Sequence, residues 1–148
     1  MARFTTSSFL PDINAWLALA TERHVHHLIV SDWLASLDID IRLHFCRFTQ
    51  LGLLRLLTTE AVMREDVCTQ IEAWSIYDRL LKNDNVSLLD EPPHVDPRFR
   101  TLTRTRRASP KAWGDAYLSA FAEASQVTLV TFDRAFRGKV KPLILLEE

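Results

Sequence analysis

The sequence predicts an α/β fold, a central parallel sheet of four to five short strands with helices on both faces. Five apolar runs, "SFLP", "RLHFC", "VSLLD", "TLVTF" and "PLILL", are short and continuous rather than alternating, as strands covered on both faces must be. Stretches of helical period separate them, which is the alternation that builds a parallel sheet. A chain of 148 residues, 47% hydrophobic and 25% charged, is long enough to bury one such core.

Taken in order, "SFLP" is the first strand, and the helix "INAWLALA" follows at once. "VHHLIVSDWLASL" gives a second helix with Leu28, Trp33 and Leu37 on or near one face. The strand "RLHFC" leads into the helix "RFTQLGLLRLLT". In "TQIEAWSIYDRLLK", Thr69 opens a helix and Glu72 stands three residues later, the spacing of a capping box. After the strand "VSLLD" come two helices, "PRFRTLTRTRR" and "PKAWGDAYLSAFAEA", the second with Pro110 at an early helical position. "TLVTF" and "PLILL" complete the sheet. Breaks fall at "TERH", "SLDID", "REDVC", "NDN", "DEPPHVDP", "ASP" and "RGKVKP".

A net charge of -1 argues against wholesale polyanion binding but leaves local patches open. Cys46 and Cys68 form no CxxC pair and lie among apolar residues, so they read as buried thiols in a reducing compartment. No apolar run reaches membrane-spanning length, and "MARFTTSSF" lacks the apolar region of a signal peptide. A cytoplasmic protein is expected.

In open parallel sheets, ligands gather beyond the carboxyl ends of the strands. Asp12 follows the first strand, Gln50 opens the helix after the second, and Asp133 follows the fourth in "LVTFD". Asp115 belongs to the helix before the fourth strand, beyond its first residues, where aspartate is a poor helix former and needs a partner. Clustered carboxylates raise one another's pKa unless a cation sits among them. Mg²⁺ or Mn²⁺ suits oxygen ligands and can activate water against a phosphodiester, whereas no His/Cys set favours zinc. Each acid also has a plain reading: Asp12 and Asp133 could each cap the helical segment that follows.

"FLPDINAWLAL", "FCRFTQLGLLRLLT", "WGDAYLSAFA" and "LVTFDRAF" stand in the order and spacing of the PIN domain, and the chain resembles the VapC-type toxins of bacterial toxin–antitoxin pairs from about Ser8 to Leu146. The resemblance implies one PIN domain over residues 1–148, a three-layer α/β/α sandwich, and a Mg²⁺- or Mn²⁺-dependent endoribonuclease that cleaves structured or single-stranded RNA. It further implies that Asp12 and Asp115 hold the metal and that Asp133 completes the pocket, these three being the metal set and, with Gln50, the catalytic set. Asn14 and Thr131 match positions that support the carboxylates, although Thr131 also reads as an ordinary strand residue. A homodimer and a VapB-type antitoxin partner follow from the resemblance as well. Many PIN domains carry glutamate where this chain has Gln50, which keeps an acceptor oxygen but loses the charge. That makes a second metal doubtful and leaves a helix-surface glutamine as the alternative.

An acidic pocket needs cations to hold phosphate. "PRFRTLTRTRRASPKAWGD" supplies Arg98, Arg100, Arg104, Arg106, Arg107 and Lys111 with no acid before Asp115, and Arg104, Arg106, Arg107 and Lys111 are the candidate substrate contacts. Arg47 and Arg55 flank Gln50 and serve either substrate or salt bridges. His24, His26, His27, His44 and His94 complete no metal set. Trp16, Trp33, Trp74 and Trp113 read as core, with base stacking left open for Trp113. Two rivals stand beside the ribonuclease: an inactive PIN-like module that binds RNA or protein, favoured by Gln50, and a phospho-acceptor receiver domain. The receiver would need an acid pair after the first strand and a lysine after the last. "LPDIN" has one acid, and Lys139 and Lys141 precede the final strand.

Overall fold

A computed structural model describes residues 7–37 and 40–147. The signal-peptide reading of the first residues and part of the "SLDID" break lie outside them. Five strands, β1 (Ser7–Pro11), β2 (Ile41–Phe45), β3 (Val86–Leu88), β4 (Thr128–Thr131) and β5 (Leu143–Leu145), form one sheet in the order β3-β2-β1-β4-β5. Every pairing is parallel, with Phe9 opposite Leu43 on one side and Thr128 on the other. The helices are α1 (Ile13–Ala20), α2 (His27–Ala35), α3 (Arg47–Leu57), α4 (Glu60–Met63), α5 (Gln70–Leu81), α6 (Val95–Leu102) and α7 (Ala112–Ser125).

Strand side chains alternate between faces, and the core divides accordingly. Phe9, Leu43, Phe45, Val86 and Val130 pack with Trp16 and Leu17 of α1, Val30 of α2, Leu53 of α3 and Tyr77 of α5. Leu10 and Leu129 point the other way, against Leu118, Phe121 and Ala122 of α7. Helices thus cover both faces, in three layers. Trp16 stacks on Phe45 with ring centroids 3.8 Å apart, fixing α1 above the centre of the sheet.

The strand order also fixes where a site can form. From β1 the chain steps outward through β2 and β3, then returns to the opposite side of β1 for β4 and β5. The crevice between the carboxyl ends of β1 and β4 is therefore the switch point, where ligands of such sheets bind.

Local chemistry explains most element ends. The Thr69–Glu72 capping box forms, with Thr69 N donating to Glu72 Oε1 at 2.8 Å and Glu72 N to Thr69 Oγ1 at 3.1 Å. α6 begins at Val95 and stops at Leu102, well short of the predicted "PRFRTLTRTRR". Thr103 Oγ1 folds back onto Phe99 O at 2.8 Å, a side-chain bond to the backbone of the kind that competes with helix continuation. Arg104, Arg106 and Arg107 thus ride a loop, and Arg98 and Arg100 are tied to Glu123 and Asp96. Pro110 lies in a turn closed by Ala112 N donating to Ser109 O, so α7 starts after it rather than with it. Leu28 faces outward, as do Trp74 and Trp113, against the core reading of these tryptophans. Cys46 is buried and Cys68 partly exposed, and both are free thiols. Among the described residues no helix is long and apolar enough to cross a membrane.

Candidate functional site

The acids meet at the switch point because three separate elements end there. Asp12 terminates β1 and caps α1: its backbone N donates to Val130 O at 2.9 Å, and its Oδ1 accepts from Ala15 N at 2.9 Å. The predicted cap is real, and it leaves room for more. The second oxygen, Oδ2, accepts a 2.5 Å bond from Thr131 Oγ1 at the end of β4. That hydroxyl oxygen accepts in turn from Asp133 N at 2.9 Å, so one buried threonine fixes the anchor points of two acids 121 positions apart in sequence. Asp133 caps the short 3₁₀ turn Arg134–Phe136 through Ala135 N, which again agrees with the cap reading.

Asp115 enters from α7. Because that helix begins at Ala112, Asp115 occupies the first turn rather than mid-helix, where the helix dipole favours a carboxylate. Lys111, Gly114, Asp115 and Leu118 lie at helical spacing along one face, and all four line the same cavity of about 350 Å³ as Asp12, Asn14 and Asp133. Phe48, Gly52 and Arg55 of α3 complete its wall. A β-carbon at Gly52 would overlap the Ile13 side chain, so the bare glycine is what lets α3 close against α1 here.

The electrostatics distinguish the three acids. Burial, with the charges of Asp133 and Asp115 adding to it, pushes Asp12 up to about 6 despite its two hydrogen bonds. Asp115 is also raised, mainly by burial and then by Asp133. Asp133 is lowered, chiefly by the Ala135 N–H and then by Lys111, whose Nζ stands 3.4 Å from Asp133 Oδ2. Lys139 acts on Asp115 and Asp133 in the same sense as Lys111.

Sequence reasoning singled out Lys111 as a substrate contact, and the structure places its ammonium at the wall of the acid cavity, paired with Asp133. The expectation of three carboxylates closed on one ion is not met as a ready-made cluster: among the described residues no three Asp, Glu, His or Cys side chains form one. Gln50 is buried rather than on the helix surface. Its Oε1 accepts from an Arg47 Nη at 2.6 Å, and it does not line the acid cavity. Arg55 reaches that cavity and Arg47 does not. Two of the histidines are engaged elsewhere: His27 Nδ1 lies 2.7 Å from Ala18 O and His44 Nδ1 2.8 Å from Ser87 Oγ. Phe48, Gly52, Gly114 and Lys139 went unforeseen. A glycine inside an apolar helix was the one local signal, since it costs stability and usually answers a packing need.

The residues present suit a hydrated hard cation. Such an ion needs only one or two carboxylates, and Asp12 and Asp115 are the two whose pKa the fold raises, neither of them in an ion pair among the described residues. Asp133 already has Lys111.

The comparisons identify the family and the fold. The PIN domain family matches residues 9–141. Ribonuclease VapC41 of Mycobacterium tuberculosis is 41% identical over 131 residues, covering 86% of this chain and 90% of that protein. Among solved structures, VapBC-1 of nontypeable Haemophilus influenzae superposes with a TM-score of 0.63 at 15% identity, covering 95% of this chain and 97% of that one. VapC20 of M. tuberculosis, described as a sarcin-ricin loop cleaving toxin, gives a TM-score of 0.62 at 15% identity over 86% of this chain and 92% of that one. Those two support the fold alone; the family match and the VapC41 identity carry the assignment. The chain belongs to the PIN domain family and, within it, to the VapC ribonucleases, the toxins of toxin–antitoxin pairs.

Proposed function

We propose that the protein is a Mg²⁺- or Mn²⁺-dependent endoribonuclease whose metal is held by Asp12 and Asp115, with Asp133 completing the pocket through its ion pair with Lys111. The observation that carries this reading is the buried Asp12 carboxylate, pushed up to about 6, facing two further acids across one cavity. An ion bound there supplies an activated water and compensates charge on the leaving oxygen. The chain's own residues do the rest. Thr131 and the Ala15 N–H each hold one oxygen of the Asp12 carboxylate at the cavity wall. Lys111 and Arg55 give the rim positive charge against the acids, and Asn14 adds an exposed amide for substrate or water. Arg104, Arg106 and Arg107 are exposed and, among the described residues, have no acidic partner, so they are available to phosphates.

Residues 1–148 are read as a single PIN unit acting in the cytoplasm. An antitoxin of the VapB type is the inferred protein partner. An apolar groove of about 620 Å³ between α3 and α5, lined by Leu51, Leu54 and Trp74, adjoins the acid cavity and shares Ile13, Phe48, Gly52 and Arg55 with it. Self-association through the exposed apolar side chains of α3 and α5 gives the homodimer. A second reading, a module that binds RNA without cutting it, is favoured by Gln50, which is neutral and stands outside the cavity.

Purified protein incubated with mixed RNA separates the two. Millimolar Mn²⁺ should yield discrete products, and excess EDTA should abolish them. RNA retained intact in both would leave the binding module.

A further inference from the structure

A second cavity lies against the first turn of α7. Its volume is about 330 Å³, and Thr103, Thr105, Arg107, Ser109, Pro110 and Trp113 line it. Helical spacing sets the two cavities side by side: Lys111, Gly114 and Asp115 face the acids, whereas Ala112 and Trp113 face the neighbouring cavity. Trp113 is 58% exposed, an expensive position for an indole unless something covers it. Phe99 meets the ring edge-on at 6.0 Å and 62°, so the ring is braced while remaining open. Arg107 lines the cavity, Arg104 and Arg106 are exposed on the same loop, and none of the three is ion-paired with an acid among the described residues. A flat apolar ring, hydroxyls within reach and unpaired guanidiniums are together what a single-stranded nucleotide requires: a stacking surface, edge contacts and phosphate partners.

We infer that Trp113 is the stacking platform for a nucleobase of single-stranded RNA next to the phosphate held at the acid cavity, with Arg107 on that nucleotide's backbone. The assignment rests on the ribonuclease reading for its substrate class. It adds a positioning residue and a subsite that sequence reasoning left undecided.

The test measures binding without cleavage. A short fluorescein-labelled single-stranded oligoribonucleotide is titrated in EDTA against wild type, Trp113→Ala, Trp113→Phe, Arg107→Ala and Arg137→Ala, with melting curves for each. Trp113→Ala should weaken binding about fivefold to a hundredfold, the range of one base–aromatic stack. Trp113→Phe should recover much of that loss. Arg107→Ala should bind more weakly with a shallower salt dependence. Arg137→Ala, whose guanidinium pairs with Glu147, should behave as wild type. Tryptophan emission quenched by unlabelled RNA in wild type should be largely lost in Trp113→Ala. Equal affinity of wild type and Trp113→Ala, or quenching that survives the substitution, overturns the subsite; if wild type still cuts RNA with Mn²⁺, the nuclease stands without it. RNA binding through Trp113 with no cleavage at any metal concentration would instead keep the subsite and remove the nuclease.

Discussion

Asp115→Asn should lose more than about 100-fold of the Mn²⁺-dependent cleavage rate, because even the outer partners of metal ligands are commonly worth about 10- to 100-fold. The substitution removes one of the two carboxylates whose pKa the fold raises, while keeping the side chain's shape. Folding should be nearly untouched. Asp115 makes no side-chain hydrogen bond among the described contacts, and losing its favourable place in the first turn of α7 costs about 0.3–1 kcal/mol. Relief of repulsion from Asp133 offsets part of that cost. The melting temperature should therefore move by no more than about 4 °C. Cleavage rates and melting curves measured on the same preparations decide the matter. A variant that cuts RNA at the wild-type rate would show that Asp115 holds nothing the reaction needs.

Asp12→Asn carries the second large effect, and it runs opposite to intuition. The folded-state pKa of Asp12 lies near 6, against an ordinary value of 3.8, because the group is buried and faces two acids. Between those values the folded chain holds a proton that the unfolded chain has released. Stability therefore falls as pH rises from about 4 to about 6, and the cost is fully present above that window. Two pKa units amount to about 3 kcal/mol. Asparagine carries no charge and caps helices as well as aspartate does, so the Ala15 N–H keeps its acceptor. In metal-free buffer, denaturant unfolding should find the variant and wild type similar near pH 4. Near pH 7.5 the variant should be the more stable by a few kcal/mol. It should also be inactive. A constant difference between the two across that range would mean that Asp12 ionises as an ordinary surface carboxylate does.

The sheet was legible because its strands are buried on both faces, which leaves short uninterrupted apolar runs such as "TLVTF". β4 is that run less its last residue, and β1 begins one residue ahead of "SFLP". Helix ends were harder. The Thr69 box is local and was read correctly, whereas the end of α6 depends on Thr103 choosing a backbone carbonyl over helix continuation. Pro110 suits the first helical position and the second position of a turn equally, and the turn won. The acids were found from strand-end position and family resemblance together. What joins them could not be found that way, since the bond from Thr131 to Asp12 spans 119 residues and the pairing of Lys111 with Asp133 depends on where two loops land. Helical aromatic residues gave the poorest reading. Period places Trp16 and Trp113 alike on apolar faces, and only the packing buries the first and exposes the second.

At the β1–β4 crevice the fold raises the pKa of two carboxylates, Asp12 and Asp115, whose charged forms a bound divalent cation would stabilise. Thermal unfolding at neutral pH, followed as Mn²⁺ is added to wild type and to Asp12→Asn/Asp115→Asn, tests this most directly. Wild type should gain about 2.7 kcal/mol once Mn²⁺ reaches a hundred times its dissociation constant, and the double variant should not respond. A wild-type curve indifferent to millimolar Mn²⁺, with no binding heat by calorimetry, would contradict the account.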